Sequence, residues 1–340
     1  MTYGSELEEF LDLAKIVYTQ NFTNESNFIY FGIDGEIWTS NISGDEIGID
    51  EIIIYGSLKN PVFTNISIPA KELHGILSSL EKPEFEQKDD HIIAKDNRTT
   101  VKLKTSKYED PPVDKITRVD WKDLPKLDPK QNKSLLEFID KNDKFGSRVH
   151  CEGGPFTTDV NSIHLLSVYF PYDLSMLPQV WSILEHFTDI AVDKPLLYLY
   201  NRDSNVTLVT SCDAPMEIGY IYDIMEDDDP GNYIEIELEN IHSSKIVQTF
   251  MINTAKADRV VDVSVIAGVM SIVAEDYRKG SVDFRIADKI NHSEDVEFSI
   301  HPDKLYACFK IGGVMRITDD ILWAHSDTED KFVKITRKEV

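Results

Sequence analysis

The chain has 340 residues, 41% hydrophobic and 28% charged, with 60 acids against 35 Lys and Arg and a formal net charge of −25. A length beyond about 300 residues suits two or three cores rather than one. The acidity excludes a surface that coats nucleic acid, which needs a basic footprint, so any DNA contact has to be local or topological.

The first element is a helix over Ser5–Thr19, where Leu7, Phe10, Leu11, Ala14 and Val17 recur at helical spacing behind a serine able to cap it. Its start, MTYGSELEEFLDLAK, is acidic and lacks the apolar core of a signal peptide, and no run approaches the about 20 apolar residues of a membrane span. The expected location is the cytoplasm, or the host cytoplasm for a viral chain. Strands are expected over Phe28–Ile33, Glu36–Ser40 and Ile49–Tyr55, with Asp34-Gly35 as a hairpin turn. A proline-bearing helix over Ser67–Leu80 (SIPAKELHGILSSL) follows, then strands HIIAK and TTVKLKT.

Residues 108–131 hold four prolines and many charges, the composition of a connector. From Asn132 the order restarts: helix NKSLLEFIDKNDKF, strands RVHCEG, PFTTDV and SIHLLSVYF, helix DLSMLPQVWSILEHF, strands PLLYLY and NVTLVTS. A second connector, residues 222–232, carries Glu226 to Asp229 and reads as a solvated loop. Beyond it come strand YIEIELE, helix SSKIVQTFMINTAKA, strands RVVDVSVIAG, MSIVAED and SVDFRIA, helix SIHPDKLYACF and strands GVMRIT, ILWAH and KFVKIT. The expected domains are 1–109, 110–222 and 223–340.

A threefold repeat underlies this order. Counted from Pro69, Leu177 and His301, apolar residues fall four and seven positions on in each copy: Leu73 and Ile76, Trp181 and Leu184, Leu305 and Cys308.

Chemistry-bearing motifs are missing. There is no GxxxxGK[ST], GxGxxG after a strand, HExxH or GxSxG. The acidic run at Glu226 to Asp229 lacks the spaced oxygens and glycine of an EF-hand loop. Cys151, Cys212 and Cys308 are odd in number and far apart, which argues for reduced thiols and against a zinc site. No cofactor, metal or enzymatic activity is expected.

Three tandem α+β modules, each of two helices on antiparallel β-meanders, resemble the bacterial DNA sliding clamp, the ring-forming processivity subunit of the replicative polymerase. The stretch ISIPAKELHGILSSLEKPEFEQKDDHIIAKDNRTTVKLKT resembles the second half of a clamp's first domain. KYEDPP followed by VDWKDL is similar to that domain's exit, and TTDVNSIHLL to a strand turn of the middle domain, although Val160, Asn161 and Ser162 break its motif. The ending KITRKEV departs from the family's apolar C-terminus. These departures imply a viral or divergent clamp.

The resemblance implies half of a pseudo-sixfold ring, closed by a head-to-tail homodimer in which edge strands of the first module of one chain meet the third of the other. Such a ring encircles duplex DNA without sequence specificity and tethers a DNA polymerase, a clamp loader's ATPase opening it. It implies DNA-facing residues Lys71, His74 and Lys82, Lys133, Lys141, Lys144 and Arg148, Lys245, Lys256 and Arg259, and Lys304 and Lys310. It also implies a pocket for short peptides of polymerase and loader beside Leu165, Leu166, Ile224, Met225, Val333 and Ile335. The competing expectations are a β-rich virion component with internal repeats, a clamp-fold platform for transcription or repair factors, and an enzyme of another α+β family.

Overall fold

The computed structural model describes residues 5–18, 28–41, 51–110, 119–127, 133–139, 146–159, 161–226, 233–237, 260–276, 280–288, 295–311 and 313–337. Helix α1 (Ser5–Tyr18) buries Leu7, Phe10, Leu11, Ala14 and Val17, so the residues whose spacing predicts it are its inward face. A meander of β1 (Phe28–Phe31), β2 (Glu36–Ser40) and β3 (Ile52–Ser57) follows. Gly35 makes the β1–β2 turn at φ +84°, where a Cβ would strike the Leu58 carbonyl.

Next come β4 (Ile66–Pro69), α2 (Ala70–Ser79), the meander β5 (Glu84–Gln87), β6 (His91–Lys95) and β7 (Thr100–Lys104), and the exit strand β8 (Ser106–Lys107). The helix expected from Ser67 therefore begins later. Ile66 to Pro69 pair with β1, Ile29 opposite Ile68, and Pro69 is the N-cap of α2. Pro at that point fixes φ and needs no N–H partner, so strand gives way to helix there.

The middle third opens with a 3-10 turn over Lys133–Phe138, where a longer α-helix was expected; residues 140–145 of that expectation lie outside the described residues. The meander β9 (Val149–Glu152), β10 (Gly154–Asp159) and β11 (Ser162–Leu166) follows. The helix expected over Asp173–Phe187 is instead strand β12 (Leu174–Met176), helix α3 (Pro178–Ser182) and a 3-10 turn at Leu184–His186. Strands β13 (Asp189–Asp193), β14 (Leu196–Asn201) and β15 (Val206–Ser211) complete this third.

Helix α4 (Gly219–Met225) occupies the start of the connector expected to be loop. Its buried Ile221 gives it an apolar face, and the acidic run begins only at its C-cap, Glu226. The last third holds β16 (Ile234–Glu237), β17 (Val261–Ile266), β18 (Val269–Asp276), β19 (Gly280–Asp288) and β20 (Val296–Ile300). Helix α5 (Pro302–Ile311) and strands β21 (Val314–Ile317), β22 (Ile321–His325), β23 (Glu329–Lys334) and β24 (Thr336–Arg337) end it. The helix expected over Ser243–Ala257 lies outside the described residues.

The repeat survives these corrections. Pro69 and Leu177 are the N-caps of α2 and α3, and His301 immediately precedes α5. Leu73, Ile76, Trp181, Leu184, Leu305 and Cys308 are all buried. In each third the first meander strand (β1, β9, β17) pairs with the strand that enters the proline-marked helix (β4, β12, β20).

The chain forms two compact units, Met1–Gln131 with Met176–Ala214, and Asn132–Ser175 with Pro215–Val340. The first holds an antiparallel sheet ordered β13-β14-β15-β3-β2-β1-β4-β8 and the three-stranded sheet β5-β6-β7. Its connector is fastened down: Trp121 stacks on Tyr200 at 4.9 Å, and Val119 and Leu124 pack against Ile53, Tyr198 and Val209. The second holds the sheets β12-β9-β10-β11-β23-β22-β21-β16 and β19-β18-β17-β20-β24, around a core that includes Val263, Phe298, Leu305 and Met315. Among the described residues no helix is long and apolar enough to cross a membrane.

Candidate functional site

Two adjoining hollows lie in the second compact unit, around the turn between β10 and β11. Asp159 organises this turn. Its Oδ1 accepts the Asn161 N–H at 2.9 Å and the Ser162 hydroxyl at 2.7 Å, and its Oδ2 meets the Lys304 ammonium of α5. Burial alone would raise the Asp159 carboxyl, but Lys304, the Asn161 N–H and the Ser162 hydroxyl together hold it below the usual carboxylate range. β11 pairs with β23, Ser162 opposite Val333 and Ile163 opposite Phe332, so two strands from distant parts of the chain share the floor.

One side wall is α4. Ile218 and Ile221 pack on Phe156, Ile163, Leu165, Trp323 and Phe332. Polar ties to β9 hold the helix in place: Met216 N–H donates to His150 Nδ1 at 3.1 Å, Ile218 N–H to Glu152 Oε2 at 3.1 Å, and Tyr222 hydroxyl to the Glu152 carbonyl at 2.7 Å. The result is a cleft of about 470 Å³ walled by Met216, Tyr220, Ile221, Ile321, Phe332 and Val333. Tyr220 stands at it 53% exposed. A second hollow of about 630 Å³ shares Asp159, Asn161, Val333 and Lys334 with the first, and adds Ile139, Val260, Ile300, His301, Lys304 and Thr336.

Of the expected pocket residues, Val333 lines both hollows. Leu165 lies buried under the first, and Ile224 and Met225 pack half-buried against the same cluster. Leu166 is buried on β11, and Ile335 belongs to the core beneath α5. Met216, Tyr220, Ile221, Phe332 and the 158–163 turn were not singled out from sequence as pocket wall. An exposed tyrosine among apolar residues ahead of the acidic run was the one available signal.

The expected DNA-facing residues divide clearly. Lys71 and Lys82 are exposed and have no ion pair among the described residues, while His74 is half-buried next to Ser78. Lys310 is exposed but pairs with Glu137 at 3.2 Å and lies over the Tyr306 ring. Lys304 lines the second hollow and pairs with Asp159, and Arg148 is only 8% exposed. Lys133 belongs to the 3-10 turn, and Lys141, Lys144, Lys245, Lys256 and Arg259 lie outside the described residues. The exposed positions of α1 include Glu8 and Asp12, so its open face is acidic.

No described cluster of His, Cys, Asp and Glu could hold a metal. All three thiols are buried, and burial raises Cys151 well above its ordinary value and pushes Cys308 up to about 12, which disfavours the nucleophilic thiolate at those two.

The fold, antiparallel meanders in a threefold repeat with proline-marked helices and strands joined between successive thirds, matches solved sliding-clamp structures over nearly the whole chain. The solved structures it matches include the DNA polymerase III subunit beta of Pseudomonas aeruginosa, with 13% identity, 98% of each chain covered and a TM-score of 0.72. The DNA polymerase III beta chain of Streptococcus pneumoniae matches with 15% identity, 98% of each chain and 0.73. The Helicobacter pylori beta clamp bound to a DNA ligase peptide matches with 12% identity, 99% of this chain and 98% of that one, and 0.65. No family model matches the chain, and no curated protein matches it in sequence.

Proposed function

We propose that this chain is a DNA sliding clamp, not an enzyme. Two copies close head to tail into a ring that encircles duplex DNA and tethers a replicative polymerase through a short peptide held in the cleft. Its three modules are 1–109, 110–222 and 223–340, it needs no cofactor of its own, and it works in the cytoplasm after a loader has opened the ring. Lys71, Lys82 and Lys310 are the described candidates for phosphate contact. Weak contacts suffice, since a closed ring holds DNA by topology and Lys-phosphate contacts carry no sequence information.

The observation that carries this reading is a pairing rule. The last strand of the first meander in one third pairs with the last strand of the second meander in the next: β3 with β15, Ile54 opposite Leu208, and β11 with β23, His164 opposite Lys331. The same rule leaves one strand of each kind over. They are β7 and β19, and among the described residues both are sheet edges. Joining β7 of one copy to β19 of another repeats the rule twice and closes a two-fold ring, which also protects edges that would otherwise invite aggregation.

The test uses the hydrogen-bond parity of β7. Thr105 N–H donates inward to the Asp90 carbonyl, so by alternation the N–H groups of Lys102 and Lys104 face the open edge. Lys102→Pro removes an outward donor and spares the β6 ladder, a position where strands tolerate proline. Native mass spectrometry is expected to find a dimer that this substitution converts to monomer. Loaded wild-type protein stays on nicked circular DNA and leaves when the circle is cut. A wild-type monomer at micromolar concentration, or retention indifferent to cutting, defeats the reading.

A further inference from the structure

Resting on the reading of the cleft as a peptide seat, we propose that its second hollow selects an acidic side chain. The partner is then a linear peptide that sets apolar residues against Tyr220, Ile221 and Phe332 and, a few positions along, an Asp or Glu between Lys304 and Lys334.

The argument is one of charge partition. The first hollow has two acids, Asp159 and Asp320, and one base, Lys334, among apolar walls. Among the described residues the second is lined by Lys304, Lys334 and His301 against Asp159, with the Asp303 carboxylate 4.0 Å from the His301 ring just outside the lining. That reverses the balance of a chain with 60 acids and 35 Lys and Arg. A concentration of bases in a half-enclosed hollow of so acidic a protein marks where negative charge is wanted.

The local geometry leaves these groups able to serve. The Asp159 carboxylate already accepts the Asn161 N–H and Ser162 hydroxyl, so it keeps two donors when the Lys304 ammonium turns part of its hydrogen-bonding capacity to a ligand. Lys304 lies over the ring of buried Phe138, 3.9 Å from its centroid, so one side of the ammonium has an apolar neighbour and water competes less there. Lys334 is held at the rim because its N–H donates to the Asn161 carbonyl at 2.8 Å, and its exposed side chain has no ion pair among the described residues. His301 Nδ1 meets the Asp303 N–H at 3.3 Å and lies 4.0 Å from the Asp303 carboxylate, which leaves Nε2 as the ring atom available to a ligand. A carboxylate between these groups gains charge-assisted hydrogen bonds, the stronger kind.

The test is fluorescence anisotropy on the full chain with fluorescein-labelled, C-terminally amidated octapeptides. All contain a Leu-Phe pair and carry Asp, Asn or Lys at each of the four following positions in turn. At one of these positions the Asp peptide is expected to bind about tenfold more tightly than its Asn twin, a difference of about 1.4 kcal/mol. The Lys peptide is expected to bind least. Lys304→Gln with Lys334→Gln is expected to bring the Asp and Asn peptides to equal affinity, and Lys334→Gln alone, at an exposed site, to narrow the gap between them. Equal binding of Asp and Asn peptides at all four positions overturns the acid selectivity but leaves the seat standing. A free-acid Asn peptide that gains as much as the Asp peptide overturns it in favour of a terminal carboxylate. Failure of all peptides to bind, or binding untouched by Tyr220→Ala at the cleft, removes the seat itself.

Discussion

The two internal strand junctions obey one pairing rule with opposite chemistry. Where β3 meets β15, Ile52, Ile53 and Ile54 lie against Thr210, Val209 and Leu208, and every residue of β15 is buried. Where β11 meets β23, the buried residues include His164, Asp330 and Lys331. His164 Nε2 donates to Glu329 at 2.6 Å, and Asp330 accepts from Trp323 Nε1 at 2.9 Å and pairs with His325 Nδ1 at 2.7 Å. Fold therefore fixes the register of a junction, and its interactions remain free to be apolar or ionic. The apolar junction owes its strength to packing and is insensitive to pH, whereas the ionic one depends on protonation.

The largest effect expected is at the apolar junction. Leu208 is fully buried, and Leu208→Ala loses transfer energy and leaves a cavity, at a cost of about 2–5 kcal/mol. A denaturant melt of the first compact unit reads it, with the ionic junction's amide protection unchanged.

A smaller effect separates the junctions by pH. Burial lowers the His164 pKa below its ordinary 6.5, Lys331 lowers it further, and Glu329 opposes both. The folded pKa is depressed, so the neutral ring's stabilisation is fully present above about pH 6.5. It is lost as pH falls from there through the folded value, because the unfolded chain takes up the proton first. In the first compact unit Asp189 is held below the usual carboxylate range chiefly by its hydrogen bond with Arg202, so its contribution survives until pH drops below about 4. Hydrogen exchange from pH 8 to 5 is expected to lose protection at β11 and β23 while β3 and β15 keep theirs. Parallel loss at both junctions sinks this contrast.

Much of the fold was legible because local signals agreed. α1 buries the stripe that predicts it, β2 has its expected limits, and the anchors at Pro69, Leu177 and His301 mark real strand-to-helix transitions. The strands entering those helices were misread as first turns, because a short apolar run such as Ile66 to Pro69 fits either element and only its distant partner β1 decides. β5 was missed since Phe85 is its one inward apolar residue among Glu84, Glu86 and Gln87. β13 was missed since buried Asp189 owes its place to Arg202, a partner the linear chain does not reveal. The cleft suffered the same way. Val333 was found on its strand, but Met216, Tyr220 and Ile221 meet it only after α4 docks on a floor shared by β11 and β23.

The smallest effect sharpens the comparison most. Lys331 is 1% exposed, its ammonium donating to the Ala307 carbonyl at 3.1 Å and lying 3.5 Å from Glu137. Removing one partner of a buried pair is usually costly, yet here what is left behind is not stranded. The Glu137 side chain is 35% exposed and keeps Lys310 at 3.2 Å, and Ala307 lies within helix α5, whose backbone supplies its own donors. Lys331→Met keeps the volume and removes the desolvation cost, so net stability at pH 8 is expected to stay within about 1 kcal/mol of wild type. The same substitution removes a cation that disfavours protonated His164. The loss of protection at β11 and β23 on acidification should therefore shrink, even though the melting temperature at pH 8 barely moves. If the acid response is unchanged in Lys331→Met, the pH dependence of this junction does not run through His164.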